Sequence, residues 1–173
     1  MVLVALICVS AVFAADNTVK VSAVPYGFQI STSSAEGAEA VKSRFGLGLE
    51  ATYQKKLNKG LLVEAGIGWN TFFITDKPAF TDILVSAGVG YKFDINDKFS
   101  CSASAAVGAD TLIYNGKGSA NITLKARLEG SYAITDSVSV HVGCQGTFGF
   151  AKKDSTNFVN YRILPVMGAA YEF

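Results

Sequence analysis

The chain has 173 residues, with 15 Lys and Arg against 14 Asp and Glu, a formal net charge of +1. Half of it is hydrophobic and only 17% is charged, against roughly a quarter in an ordinary soluble domain, and its mean hydropathy is +0.31. A disordered chain would be polar and charge-rich, a nucleic-acid binder would carry a basic excess, and a helical membrane bundle would need apolar runs of about 18 residues that the scattered charges of the mature region interrupt. All three are excluded, and the length fits one domain.

Met1 to Ala14 is an apolar run ending in small residues, with Val12 and Ala14 where a signal peptidase inspects its substrate. Cleavage after Ala14 is expected, leaving 15–173 as one domain. The usual positive n-region is missing, so either the start lies upstream or the free amine supplies the charge. Cys8 follows Ile7, which is not small, so a lipid anchor there is disfavoured. Export permits disulfides, but Cys101 and Cys144 fall on non-adjacent predicted strands, facing outward. Two buried apolar thiols are expected instead.

From there the chain repeats one pattern: apolar residues at every second position for about ten residues, the period of a strand with two unlike faces. Asn17 to Ile30 shows it least cleanly. Arg44 to Lys56 sets Phe45, Leu47, Leu49, Ala51 and Tyr53 against Arg44, Glu50, Thr52 and Gln54. Leu61 to Phe73 is the clearest, with Val63, Ile67 and Trp69 against Glu64, Gly66, Gly68 and Asn70. Ile83 to Phe93, Phe99 to Asp110, Asn121 to Ile134 and Val138 to Phe150 follow in the same manner. Phe158 to Phe173 closes the series, with Tyr161, Ile163, Met167 and Tyr171 against Asn160, Arg162 and Glu172.

Eight strands result. Leu57–Gly60, Asp94–Asp97 and Thr135–Ser137 read as tight turns of Asn, Asp, Gly and Ser. Ser31–Ser43, Ile74–Phe80, Thr111–Ser119 and Ala151–Asn157 read as longer loops. Short turns at one end and longer loops at the other are the mark of an up-and-down barrel crossing an outer membrane. The apolar face carries no charge in mid-strand, whereas the other face carries Lys20, Arg44, Lys92, Lys125, Arg127 and Arg162 against Glu50, Glu64, Asp110, Glu129 and Glu172. A soluble barrel would put its charges outside; lipid outside and a polar interior require this inversion. Tyr53, Tyr91, Phe93, Phe99, Tyr132, Tyr171 and Phe173 mark a girdle at the turn side, and Trp69, Phe73, Phe148, Phe150 and Tyr161 one at the loop side. The predicted fold is an all-β, closed, eight-stranded antiparallel up-and-down transmembrane β-barrel.

The leader, the eight alternating segments and the final Ala-Tyr-Glu-Phe resemble the small bacterial outer-membrane barrels of the OmpA, OmpX and OmpW type. The resemblance spans the mature chain and rests on pattern, so it implies a fold and an outer-membrane location, with the four longer loops extracellular and both termini periplasmic, but no subfamily. Tyr171 and Phe173 are similar to the terminal signal read by the barrel-assembly machinery, an implied partner in biogenesis. No peptidoglycan-binding domain is expected after Phe173.

An eight-stranded lumen is only just wide enough for its own side chains, and buried charges there must pair. A central network of Glu50, Lys125, Arg127, Glu129 and Arg162 is expected, with Glu64 reaching Lys92 across adjacent strands and Lys20 reaching Glu172 across the closing seam. Gly46, Gly48, Gly66, Gly68, Gly88 and Gly90 form G-x-G pairs on neighbouring strands. No helix follows them to make a phosphate site, so they are read as inward gaps, filled by side chains in a plug or by water in a pore. Leu62, Phe72, Leu84, Leu164 and Val166 give the lumen apolar spots. Pro25 and Pro165, on the first and last strands at one height, predict an unpaired or bulged stretch in the closing seam.

His141 is the only histidine. With no partner histidine a metal site is not expected, and with no nucleophile–base pair evident neither are catalysis or a cofactor. The leading functional reading is a small OmpW-like pore or conduit for small, apolar molecules. The alternative is a plugged OmpX/OmpA-like anchor whose loops bind a host or ligand, the first loop being acidic at Glu36 and Glu39. Outer-membrane lipid is the expected surrounding, nucleic acid is not an expected partner, and a monomer is the expected state.

Overall fold

The computed structural model describes residues 17–33, 41–43, 45–74, 77–114, 117–153 and 156–173. The leader, with its cleavage point, and Arg44, Glu36 and Glu39 lie outside the described residues. Ten strand segments follow one another: β1 (Asn17–Val24), β2 (Phe28–Ser33), β3 (Val41–Ser43), β4 (Phe45–Lys56), β5 (Leu61–Ile74), β6 (Lys77–Asp94), β7 (Phe99–Tyr114), β8 (Lys117–Ala133), β9 (Val138–Lys153) and β10 (Thr156–Glu172). They make eight antiparallel staves, because β1 and β2 are halves of one stave and β3 and β4 halves of the next. Each stave pairs with the following one, and β10 pairs with both β1 and β2 to close the barrel.

The turn-side connections are as tight as their residues suggest. Asn96 Oδ1 accepts hydrogen bonds from the backbone N–H groups of Lys98 and Phe99, both at 2.9 Å, and Thr135 Oγ1 accepts from Val138 N at 3.0 Å. Between β4 and β5 a single 3-10 turn, Asn58–Gly60, puts Lys59 and Gly60 at φ of 60° and 84°. A Cβ on Gly60 would lie 2.6 Å from the Lys92 carbonyl oxygen, so the turn needs glycine there for both conformation and space.

Three of the four expected loops are corrected. Strand structure continues through most of Ile74–Phe80, Thr111–Ser119 and Ala151–Asn157, since β6 begins at Lys77, β7 runs to Tyr114, β8 begins at Lys117 and β9 runs to Lys153. A stave of 17 residues at about 3.3 Å per residue, tilted by about 40°, rises about 40 Å, more than the about 25 Å of a barrel's apolar band. Beyond the lipid the outward face no longer has to be apolar, so the alternation fades while the hydrogen-bonded ladder continues.

The apolar face points out and the polar face in. Leu49, Ile67, Val89, Val107, Leu128 and Val142 are exposed outward, while Glu50, Lys125, Arg127 and Gln145 are buried inside. Aromatic neighbours pack together at the expected levels: Tyr91 with Phe93, Phe99 with Tyr132 and Tyr171 with Phe173 at the turn side, with ring centroids 4.5, 4.9 and 6.0 Å apart, and Phe148 edge-on to Tyr161 at the loop side, 5.1 Å apart. Cys101 and Cys144 are free thiols on the non-adjacent β7 and β9, exposed on the outer surface rather than buried within the protein.

The closing seam is broken where the prolines predict it. Ala23 pairs with Met167 and Phe28 with Ile163, so residues 24–27 on one stave oppose only 164–166 on the other. One extra residue in the first stave shifts its inward phase from even positions, Lys20 and Ser22, to odd ones, Gln29. This is why its alternation is hard to read in the sequence. Inside the break lies the main apolar cluster of the described lumen: Val24, Phe72, Phe80, Leu164 and Val166. Gly27 faces it, and a Cβ there would stand 2.7 Å from Leu164 Cδ2 and 3.1 Å from Phe72 Cε1.

Candidate functional site

The lumen is crossed by two charged struts. Glu50 on β4 faces β8, four staves away in either direction round the ring. Its Oε1 lies 2.9 Å from Lys125 Nζ and 2.5 Å from Arg127 Nη2. Thr52 Oγ1 donates to the same oxygen at 2.9 Å. Around this strut Arg127 donates to Gln145 Oε1 through Nε at 2.9 Å and also through Nη2, and its Nη1 lies 3.4 Å from Glu129. Lys20 reaches Glu129 Oε2 at 2.6 Å. Every carboxylate of this layer is therefore held by at least one cation or by hydrogen-bond donors, as low local dielectric demands.

The second strut joins β10 to β6, also four staves apart. Arg162 donates from Nη1 to Asp82 Oδ2 at 2.8 Å and from Nη2 to Asp110 Oδ2 at 2.5 Å, while its Nε donates to Gln29 Oε1 at 3.0 Å. Its guanidinium carbon sits 5.7 Å from the centroid of the Phe72 ring, so the strut rests on the apolar cluster behind the seam.

The structure thus brings Glu50, Lys125, Arg127 and Glu129 together, and four details differ from the sequence-based expectation. Arg162 belongs to a separate network, nearer the loop side. Lys20 binds Glu129, three staves away, rather than Glu172. Glu64 accepts from Gln54 Nε2 at 2.9 Å and Ser104 Oγ at 3.1 Å instead of pairing with Lys92. Lys92 and Glu172 are partly exposed at the turn-side mouth, 3.9 Å from each other, with Asp94 at 3.8 Å from Lys92. There they line a vestibule of about 100 Å³. Adjacent-stave pairing does not by itself choose the partner, because an inward side chain in so narrow a barrel reaches across it, as Lys20 does, as easily as along the wall, as Gln54 does.

Asp82, Gln29, Gln145 and Ser22 were missing from the expected network. Asp82 falls just outside the strand start read from the sequence, and Gln29 lies beyond the phase shift. The polar neutral residues carry no charge signal.

The inward glycines are occupied gaps at several heights. A Cβ on Gly46 would meet the Phe72 ring at 2.6 Å, and one on Gly48 would overlap Asn70. Gly66 and Gly68 lie beside the Glu50 side chain, with the nearest approaches of its atoms to those Cβ positions 3.5 and 3.6 Å. Gly88 and Gly90 lie close against the neighbouring β7 backbone. Leu62, Phe72, Leu84, Leu164 and Val166 are all buried inside.

His141 has a partner that the sequence did not reveal. Its Nε2 is 2.9 Å from Ser22 Oγ, so a serine and a histidine do stand within hydrogen-bond distance. A nucleophile–base relay needs the acid on the far ring nitrogen, Nδ1. Here Glu129 Oε1 approaches the same Nε2, at 3.9 Å, and Nδ1 has no partner. Both residues are buried within the lumen network. The arrangement is a hydrogen-bonded lumen contact rather than a relay.

No protein-family model and no curated protein matches the chain. Among solved structures, it is similar to the Neisserial surface protein A, with a TM-score of 0.63 and 17% identity over 92% of this chain and 98% of that one. The chain has the fold of a small outer-membrane β-barrel. More distant likenesses to other barrels of this kind are the Yersinia pestis attachment invasion locus protein, with TM-score 0.41, 14% identity and 89% and 99% of the two chains covered, and the N-terminal barrel domain of Pseudomonas aeruginosa OprF, with TM-score 0.47, 13% identity and 92% and 100% covered. Two charged struts and an apolar cluster cross the described lumen of this barrel.

Proposed function

We propose that the chain is a closed-lumen barrel of the bacterial outer membrane, a monomeric anchor that acts through its loop-side surface by contact with a host molecule or ligand, rather than an open channel. The observation that carries this reading is the strut from Glu50 to Lys125 and Arg127, which spans the full diameter and is buried at both ends. An ion passing it would have to separate charges held at 2.5–2.9 Å. In this reading the loops face outward and both termini the periplasm, Met1–Ala14 is a leader removed after export, and the outward Tyr171 and Phe173 rings serve the assembly machinery as its terminal signal. The test is planar-bilayer conductance of the refolded mature chain, after its band has been shown to shift on heating. A silent, folded barrel is the expected result, and steady ohmic steps would overturn it.

A conduit for small apolar molecules is favoured by one specific feature, the break at 24–27 opposite 164–166 backed by Val24, Phe72, Leu164 and Val166. Such a route would be lateral and carry no current. Brightening of N-phenylnaphthylamine by the folded barrel, lost in Gly27→Val, would support it.

A further inference from the structure

The loop-side strut leaves one charge unanswered. Asp82 and Asp110 each give Oδ2 to Arg162, so two carboxylates share one guanidinium, and the Oδ1 atom of each is buried with no hydrogen-bond partner. An unpaired buried anion is costly and is met in proteins by a counter-charge or a proton. Two further side chains on the same inward wall are also unsatisfied. Asn121 is only 4% exposed, yet neither its Oδ1 nor its Nδ2 has a partner, and Thr123 is 1% exposed with its hydroxyl unpartnered.

Strand register brings these groups together. Asp110 and Asn121 are direct cross-strand partners on β7 and β8, which places their Cβ atoms about 5 Å apart on one face. Asp82, on β6, is tied to Asp110 through the Arg162 fork. Next to Thr123 on β9 is Gly149, also facing inward, where a Cβ would lie 3.3 Å from Thr123 Oγ1 and 3.6 Å from Asn160 Cβ. With no side chain at Gly149, nothing from that position of β9 reaches the Thr123 hydroxyl to satisfy it.

We propose that this group of buried, unpartnered oxygens binds a small, hard monovalent cation, with Asp82 Oδ1, Asp110 Oδ1, Asn121 Oδ1 and Thr123 Oγ1 as its protein ligands. Oxygen-only donors suit a hard cation, and a single positive charge neutralises the cluster of two aspartates and one arginine. A divalent ion would leave it positive. The Glu50 layer offers no comparable site, because its carboxylates are already held by Lys20, Lys125, Arg127 and neutral donors. The ion stabilises the folded barrel because it binds only there.

The test uses the refolded mature chain in detergent micelles, with sodium as the probe and choline chloride as the control at equal ionic strength. Sodium is expected to raise the unfolding midpoint along a saturating curve that choline does not reproduce. Asp110→Asn keeps an acceptor for Arg162 and makes the cluster neutral, so it is expected to fold without sodium and to raise the half-saturating sodium concentration at least tenfold. Asn121→Ala changes no charge and is expected to give the same tenfold shift. It carries the assignment if Asp110→Asn fails to fold. An equal response to choline would mean screening alone. No response in the wild type would mean that water or a proton shared by the aspartates satisfies these oxygens. An unchanged half-saturation in the folded variants would put the cation elsewhere. Each of these results overturns the proposal.

Discussion

Replacing Glu50 with alanine removes the anion on which the β4–β8 strut converges, and leaves Lys125 and Arg127 facing each other's charge with both side chains buried. At the observed 2.9 Å from Lys125, an effective dielectric near 20 gives an attraction of roughly 6 kcal/mol before desolvation is counted. Deleting one partner of a buried pair leaves the other's desolvation uncompensated and costs about 3–5 kcal/mol. Arg127 retains Gln145 and Glu129, so the expected loss for Glu50→Ala lies at the lower end, about 3 kcal/mol. The double variant Glu50→Met/Lys125→Met removes both ions and is expected to lose less than the single one, since apolar replacement of a whole buried pair is often about neutral. The assay is urea unfolding in micelles, followed by the fluorescence of Trp69, the only tryptophan, and by the heat-dependent band shift. Stability is read by linear extrapolation with the slope checked for change. A single-variant loss below about 1 kcal/mol at constant slope, the level of an exposed pair, would refute the strut as a structural element. So would a double variant worse than the single one.

Arg127→Met is expected to be milder, about 1–3 kcal/mol from the stranded Gln145 carbonyl, because Glu50 keeps Lys125 and Glu129 keeps Lys20; the same unfolding curves check it. Gly27→Ala is expected to cost about 1–3 kcal/mol through overpacking against Leu164 and Phe72, and Gly27→Ala/Leu164→Ala to cost less than the sum of its parts, measured as a double-mutant cycle. Leu128, 66% exposed on the outer wall, lies among the lipid-facing residues, so Leu128→Arg is expected to destabilise the barrel in bilayers by about 2–4 kcal/mol. Ile134→Arg, past the Tyr132 girdle at the turn end, is expected to cost about 0–1 kcal/mol, which folding titrations into vesicles would resolve.

Which residues face the lumen was legible in the sequence because the period of two is a property of the strand itself. Glu50, Lys125, Arg127 and Glu129 could be placed inside without knowing any neighbour. Their partners could not be read in the same way. Lys20 lies next to Ala170 and two residues from the register partner of Glu172, yet its amine finds Glu129 across three staves. That choice depends on stagger, tilt and lumen width, none of which a linear pattern records. Asp82 was missed for a related reason. It stands where the outward face has left the lipid, so Thr81 and Thr111 replace the apolar residues that announce a strand, although pairing continues to Phe80 and Tyr114. The seam was half legible: two prolines marked a break in the ladder, but only the register shows the extra residue that reverses the inward phase before Gln29.

The two struts and the apolar wedge divide the mechanical work of the lumen. The β4–β8 strut ties one diameter, and the β10–β6 strut ties the diameter a quarter-turn away, since its ends are displaced by two staves of eight. Together they resist flattening of the ring in either direction. At the seam this support is weakest, because residues 24–27 and 164–166 forgo register pairing with each other. There Phe72 and Leu164, both fully buried, stand against the break, and Arg162 rests on Phe72 from within. Hydrophobic packing stands in there for the missing ladder bonds. A water-filled lumen would lose both devices at once: the wedge needs apolar contact, and the struts need a low dielectric to hold their ions at hydrogen-bond distance.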